Sequence, residues 1–367
     1  MAKLNKSSIL YLLLIFAPIS FLLDQLDSNA TLIFIVSILS LIPLAKLIGD
    51  STEHLASHYG STVGSLLNVT FGNAAEIIIG IIAISSGLID LVKASIIGAI
   101  LGNIMLIFGL SMMVGGIHHK EQSFNRENAG LQSSMIFLSI IGLAIPTLLA
   151  ITAFQQESVN EEIKIQLLSD SLAIILLCVY ISGIIFTFVT HKYLFASPVD
   201  SNENNNASSS ISLKHWSKKK SFLILGLSML GVVVVSEILV GSVEETGKRL
   251  GFGEMFVGAI IVGIVGNAAE HSSAILLARK GKIDLSIGIA AGSGTQIALF
   301  VVPILVFAGI ALGQPFTLEF TLYELVTLFL AAIILNLIAH DGKSNWFEGV
   351  MLTAAYIIIA LGFYFLG

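Results

Sequence analysis

Apolar runs, each about the length of a membrane crossing, follow one another through this chain with little polar sequence between them, and that spacing decides the class of fold. A hydrocarbon core about 30 Å thick takes a helix of about 20 residues, and inside it every backbone amide must bond within its own segment. Only 11% of the 367 residues are charged and 55% are hydrophobic, with a mean hydropathy of +0.93, against about 25% charged in soluble domains. The chain therefore reads as an all-α polytopic membrane protein. Its runs predict eleven helices over residues 8–24, 30–49, 63–88, 91–115, 130–152, 169–190, 221–243, 254–278, 284–309, 321–339 and 345–366. Lys3 and Lys6 before the first run imitate a secretory signal, but a second span follows at once and no convincing small-residue cleavage site is present, so this run is kept as a helix.

Several functional classes lose their support at this point. The net charge of −6 is spread along the chain and gives no footprint for nucleic acid. Cys178 is the single cysteine, which rules out a disulfide or a thiolate cluster and makes redox chemistry improbable. His54 and His58 stand at i, i+4, but the stretch lacks the glutamate of a zinc protease motif. Asn68-Val69-Thr70 matches a glycosylation acceptor at a membrane edge where no glycan could be added. Asp341 to Gly349 lacks the alternating acids of a calcium loop. Without a Walker-type glycine loop, ATP is not the energy source; without a metal motif or an activated nucleophile, an enzyme has no machinery, and no cofactor is expected.

Lysine and arginine favour cytoplasmic loops and so orient the helices. With the N-terminus inside, fourteen of these residues fall on the cytoplasmic side and four outside, namely Lys93, Lys164, Lys248 and Arg249. The polar, low-complexity stretch 196–220 reads as a flexible cytoplasmic linker. The expected organisation is an N-terminal helix over 1–29, a first five-helix unit over 30–195, the linker over 196–220 and a second five-helix unit over 221–367. A multi-pass protein of a cell membrane follows, with a homo-oligomer left open.

The two units share a sequence. "GNAAE" at 72–76 returns at 266–270, and with an offset of 194 eleven of the 27 positions from 72 to 98 are identical without a gap, among them Gly87 with Gly281, "IDL" at 89–91 with 283–285, and Gly98 with Gly292. Five helices is an odd number, so the second unit enters the membrane inverted. Inverted repeats are a transporter architecture with the substrate site near the midplane between them. The third helix then runs outward and the eighth inward, and Glu76 and Glu270 arrive at similar depth. Gly98 with Gly102, and Gly288 with Gly292, form small-xxx-small patterns that permit close helix packing. Gly72 and Gly266 either pack in the same way or loosen the helix so that carbonyls turn toward a cavity.

A charged acid at the centre of a membrane helix costs about 2.5 to 3.5 kcal/mol, and two side by side also repel. A divalent cation or protons would relieve both costs. Hard cations such as Ca²⁺ take about 6 to 8 oxygen ligands. Asn73 and Asn267, three residues before the acids, share their helical face, while Asn103, Ser293 and Gln296 on the following helices could complete a cage. If the carboxylates take up protons when the cation leaves, exchange results. His271, next to Glu270, is either a proton relay or packing; Glu237 either lines an access route or is hydrated near the outer face.

The stretches "NVTFGNAAEIIIGIIAI", "ASIIGAILGNIMLIFGLSMMVGG", "GIVGNAAEHSSAI", "IDLSIGIAAGSGTQIALFVVPILV" and "DGKSNWFEG" resemble the cation/proton exchanger family, the Ca²⁺/H⁺ antiporter branch of the calcium/cation antiporters, in its bacterial form. The resemblance covers nearly the whole chain. It implies an eleven-helix fold with Glu76 and Glu270 as the acceptors of cation and protons, His271 beside the second acid, and Asn73, Asn267, Ser293 and Gln296 around them. Two features depart from the family pattern: the linker holds only Asp200 and Glu203 as acids, and Gly294 follows Ser293 where members carry Ser or Thr. The expected function is exchange of Ca²⁺ for H⁺ across the lipid bilayer by alternating access, with Ca²⁺ as substrate. A sodium-coupled exchanger and a passive cation channel are the rivals.

Overall fold

The structure, a computed structural model, describes residues 10–59, 67, 70–152, 159–191 and 216–366. The residues before Leu10, Glu157, most of the 196–220 linker and the start of the third predicted helix lie outside the described residues. The helices are α1 Leu10–Gln25, α2 Ala30–Tyr59, α3 Ala74–Ser85, α4 Ile89–His118, α5 Arg126–Thr152, α6 Glu161–Thr190, α7 Lys218–Leu250, α8a Glu254–Gly266, α8b Ala268–Arg279, α9 Ile283–Leu312, α10 Leu322–Ala339 and α11 Trp346–Leu366. Among the described residues, eight of these are long and apolar enough to cross a membrane, or nine when α8a and α8b, bent by 61° at their junction, count as one span. The chain is a multi-pass membrane protein. On that measure α1 and α3 are too short, so the expected count of eleven is not reached.

Helix ends depart from the hydropathy runs for a simple reason: apolarity measures membrane thickness, whereas a helix can continue into water where its side chains support it. α7 outruns the expected 221–243 at both ends. It starts from Ser217, whose hydroxyl accepts the Lys220 amide, and stops at Gly251, which takes φ +69° as a left-handed cap. Near that end Glu244 pairs with Lys248 and Glu245 with Arg249, each four residues apart. Further back, Phe222, Leu223, Leu227 and Leu230 are exposed, as a lipid-facing stripe requires.

The repeat is written into the backbone. Adding 194 to the bounds of α3 gives those of α8b, and adding it to α4 gives α9. Gly87 and Gly281 turn the chain between the paired helices at φ +78° and +76°, a region that costs a side chain steric strain. Packing has the same reciprocity. α4 lies against α8b and α11 as α9 lies against α3 and α6, while α2 packs on α7 and α5 on α10 across the repeats. A short antiparallel pair, β1 Gln122–Ser123 with β2 Lys343–Ser344, ties the turn before α5 to the turn before α11.

α4 and α8a touch at backbone distance. A methyl group on Gly98 would collide with the backbone of Ala259; one on Gly258 would stand 2.6 Å from the Leu91 carbonyl, and one on Gly263 would stand 2.8 Å from the Ala99 amide. The glycine expectation therefore needs correction. Gly98 does permit close packing, but a methyl on Gly102 or Gly292 would meet nothing within 4 Å, and on Gly288 only the Asn128 side chain at 4.0 Å. The tight contact depends on Gly258 and Gly263 of the partner helix instead.

Candidate cation site

Each acid stands just past a helix start. α3 begins at Ala74 after Asn73, whose φ of −98° and ψ of 20° leave the helical region, and α8b begins at Ala268 after Asn267, at −93° and 5°. Glu76 and Glu270 are thus the third residues of two short helices, where the positive end of the helix favours negative charge. In α8 the break follows Gly266, and a methyl there would stand 3.1 Å from Glu76 Oε1. The glycine leaves room for the carboxylate of the other repeat. Glu76 lies within electrostatic reach of Glu270, and each has a buried Oε2 without a hydrogen-bond partner. Buried polar atoms normally find a partner.

The expected amides and hydroxyl gather between the same elements. Asn73 Nδ2 donates to Gln296 Oε1 at 2.7 Å, joining α3 to α9. Asn103 Nδ2 reaches Asn267 Oδ1 at 3.3 Å, Ser293 Oγ at 3.2 Å and its own helix at the Ala99 carbonyl. Ser293 Oγ also donates to Asn267 Oδ1 at 3.2 Å, and Asn267 Nδ2 donates to the Gly263 carbonyl at 3.2 Å. Asn73, Asn103, Asn267 and Ser293 are all buried. These bonds fix where the neutral oxygens stand.

A cavity of about 20 Å³, room for one water-sized particle, opens onto Glu76 between Ser95 and Ala99 of α4, Gly263 and Gly266 of α8a, and Ile297 and Leu305 of α9. Ser95 and Gly263 were missed in the sequence. Ser95, Ala99 and Asn103 recur every four residues on one face of α4, a signal that was there to find. His271 is buried with Nε2 unpartnered, and it does not line this cavity. Glu237 is exposed on α7 and does not line it either. Among the described residues no three His, Cys, Asp or Glu side chains gather as a metal cluster; the donor set is two carboxylates with amide and hydroxyl oxygens.

The family model for sodium/calcium exchanger proteins matches residues 29–189 and 220–365. A Ca²⁺/H⁺ antiporter of Synechocystis sp. is 41% identical over 369 residues, covering 98% of both chains. The Ca²⁺/H⁺ antiporter ChaA of Bacillus subtilis is 39% identical over 355 residues, covering 95% of this chain and 96% of its own. The solved structure of native YfkE superposes with a TM-score of 0.81 at 35% identity, covering 97% of this chain and 99% of that one. With the fold, the repeated breaks and these likenesses in agreement, the chain belongs to the sodium/calcium exchanger protein family and, within it, stands with the bacterial Ca²⁺/H⁺ antiporters.

Proposed function

We infer that the protein exchanges Ca²⁺ for H⁺ across a cell membrane by alternating access, with Glu76 and Glu270 binding either one divalent cation or protons. One observation carries this reading: two buried carboxylates, at matching helix breaks of a repeated fold, each keep an oxygen without a partner. Two such groups in a low-dielectric interior repel when both are charged and empty, so the unloaded carrier is a poor state in which to cross. Ca²⁺ neutralises them in one direction and protons in the other. Asn73, Asn103, Asn267, Ser293 and Gln296 offer the remaining oxygens, and His271 and Glu237 stand outside that set as relay or access residues to be tested by substitution.

The organisation proposed with this function is a helix over 1–29, five-helix units over 30–195 and 221–367 with opposite orientation, and a cytoplasmic linker over 196–220. α3 and α8 with their partners move against α2 and α7. The separate matches of the family model to 29–189 and 220–365 support two units, and the names of the antiporter relatives support Ca²⁺ and H⁺ as the ions. The family name also contains sodium, which keeps a sodium-coupled exchanger as the second reading.

Inverted membrane vesicles decide among them. A pH gradient, acid inside, is expected to drive Ca²⁺ uptake without sodium and against a Ca²⁺ gradient. Uptake that requires a sodium gradient would replace the proton by sodium, and a protein that lets Ca²⁺ run only downhill would be a channel.

A further inference from the structure

A second, larger cavity of about 260 Å³ lies where α4, α8a and α10 begin. Asp90, Lys93, Met255, Glu319, Thr321 and Glu324 form most of its wall. It shares two walls with the cavity at Glu76: α4 gives Asp90 and Lys93 to this cavity and Ser95, Ile96 and Ala99 to the one at Glu76, and α8a gives Met255 to the first and Val262, Gly263 and Gly266 to the second. The far wall is an extended segment between α9 and α10, in which Phe316, Leu318 and Phe320 are buried in alternation. That segment is pinned by its backbone, since the Leu318 amide donates to Ser169 Oγ and the Phe320 amide to Thr147 Oγ1. The alternation turns Thr317 and Glu319 the other way, toward α4.

The acids here have ordinary structural reasons. Asp90, Glu254 and Glu324 occupy first turns of helices, where the helix dipole favours them, and Glu324 closes a capping box with Thr321. Lys93 has no such reason. It sits five residues into α4, near the positive end, is half-buried, and aims its ammonium at Thr317 Oγ1, 3.5 Å away. Asp90, Glu319 and Glu324 lie within its electrostatic reach, and Glu254 within that of Asp90. The cavity is thus a carboxylate-rich mouth with an ammonium held inside it.

We propose that Lys93 is a specificity-determining residue for release: its tethered charge occupies the place a divalent cation would take among these carboxylates, so that Ca²⁺ leaving the site is neither held at the mouth nor readily rebound from that face. This rests on the exchange function proposed above and on the orientation read from the sequence, in which the face where α4 begins is the outer one. A cleft of one sign concentrates counter-ions by about tenfold or more, and Lys93 offsets that focusing.

The test uses the full-length protein in right-side-out and inverted vesicles, with half-saturating Ca²⁺ measured at each face. Wild-type protein must first exchange Ca²⁺ for H⁺ in both; if it does not, the function fails and Lys93 has not been judged. Given exchange, Lys93→Gln is expected to lower half-saturating Ca²⁺ about tenfold at the outer face alone and to slow export, while Lys93→Arg keeps the wild-type ratio between faces. A change of equal size at both faces, as from a merely structural loss, or no change at either, overturns the proposal. Should Lys93→Gln fail to fold, Thr317→Val, which frees the ammonium from its tether, decides: half-saturating Ca²⁺ falls at the outer face if the held charge governs the mouth, and stays unaltered if it does not.

Discussion

α3 with α4, and α8b with α9, follow the same backbone plan: the same lengths, the same off-helix asparagine before the acid, and the same left-handed glycine between helices. Their side chains diverge. Glu76 is followed by three isoleucines, Glu270 by His271, Ser272 and Ser273. Ile79, Ala99, Ile297 and Leu305, which line the cavity at Glu76, have as their counterparts 194 residues away Ser273, Ser293, Asn103 and Ser111. The bonded network of Asn103, Asn267 and Ser293 belongs to the second acid, whereas Asn73, among the described residues, bonds through its side chain to Gln296. Duplication kept what the mechanics require, two breaks and two carboxylates. Under the proposed exchange the neutral donors are free to lie on one side, because a single cation between the acids would take its oxygens from either repeat.

The largest effect should fall on what the halves still share. Glu76→Gln and Glu270→Gln are each expected to reduce pH-driven Ca²⁺ uptake to the level of vesicles without the protein, because one remaining carboxylate neither balances a divalent ion nor stores the second charge. Retained pH-driven transport in either variant would break the shared-site reading. Packing comes next, and here repeat mates differ: Gly98→Val forces α4 away from Ala259 and should cost about 3 kcal/mol, seen as a lowered melting temperature in detergent, while Gly292→Ala meets open space and should stay within about 0.5 kcal/mol. Equal losses would mean that the two grooves are packed alike.

Much of this was legible beforehand. Hydropathy locates the apolar helices, and the 194-residue offset relates α3 to α8b from the letters alone. Spacing picks out Asn73, Asn103, Asn267, Ser293 and Gln296, and the structure bonds Asn73 to Gln296 and Asn103 to Asn267 and Ser293. What the sequence hides depends on partners far along the chain. Gly98, Gly102 and Gly292 look equivalent as letters, yet only the first has another backbone against it. Glu237 looks like Glu76, an acid in an apolar run, but its side of α7 is exposed. The outer cavity is equally hidden, because Lys93 and Thr317 are 224 residues apart.

The polar half offers a finer test. Ser293→Ala removes the hydroxyl between Asn103 and Asn267 and should cost about 1 kcal/mol, roughly a fivefold rise in half-saturating Ca²⁺. Ala99→Ser, the reverse exchange in the other half, adds a hydroxyl to the cavity at Glu76 and should leave half-saturation within about twofold. If Ala99→Ser shifts Ca²⁺ dependence as strongly as Ser293→Ala, the neutral donors act on both sides and the division between the halves is lost.

The smallest expected effect lies at Gly294, where the family pattern implied by the resemblance has Ser or Thr. A side chain there begins 2.9 Å from Ile104 Cγ2, 3.8 Å from Asn103 Cβ and 3.9 Å from the Ile100 carbonyl oxygen, so Gly294→Ser crowds a methyl group and meets backbone only at ordinary contact distance. Ile104 is fully buried, so its methyl must shift, which costs about 1 kcal/mol of fold stability, read as a lowered melting temperature, while half-saturating Ca²⁺ is expected to move by about twofold with pH drive retained. The adjacent Asn103 already has three acceptors for its Nδ2, and a network held at that many points yields less than a single bond would. A shift beyond about tenfold would mean that Asn103 is positioned by Ile104, and the site would then depend on apolar packing as much as on its polar bonds.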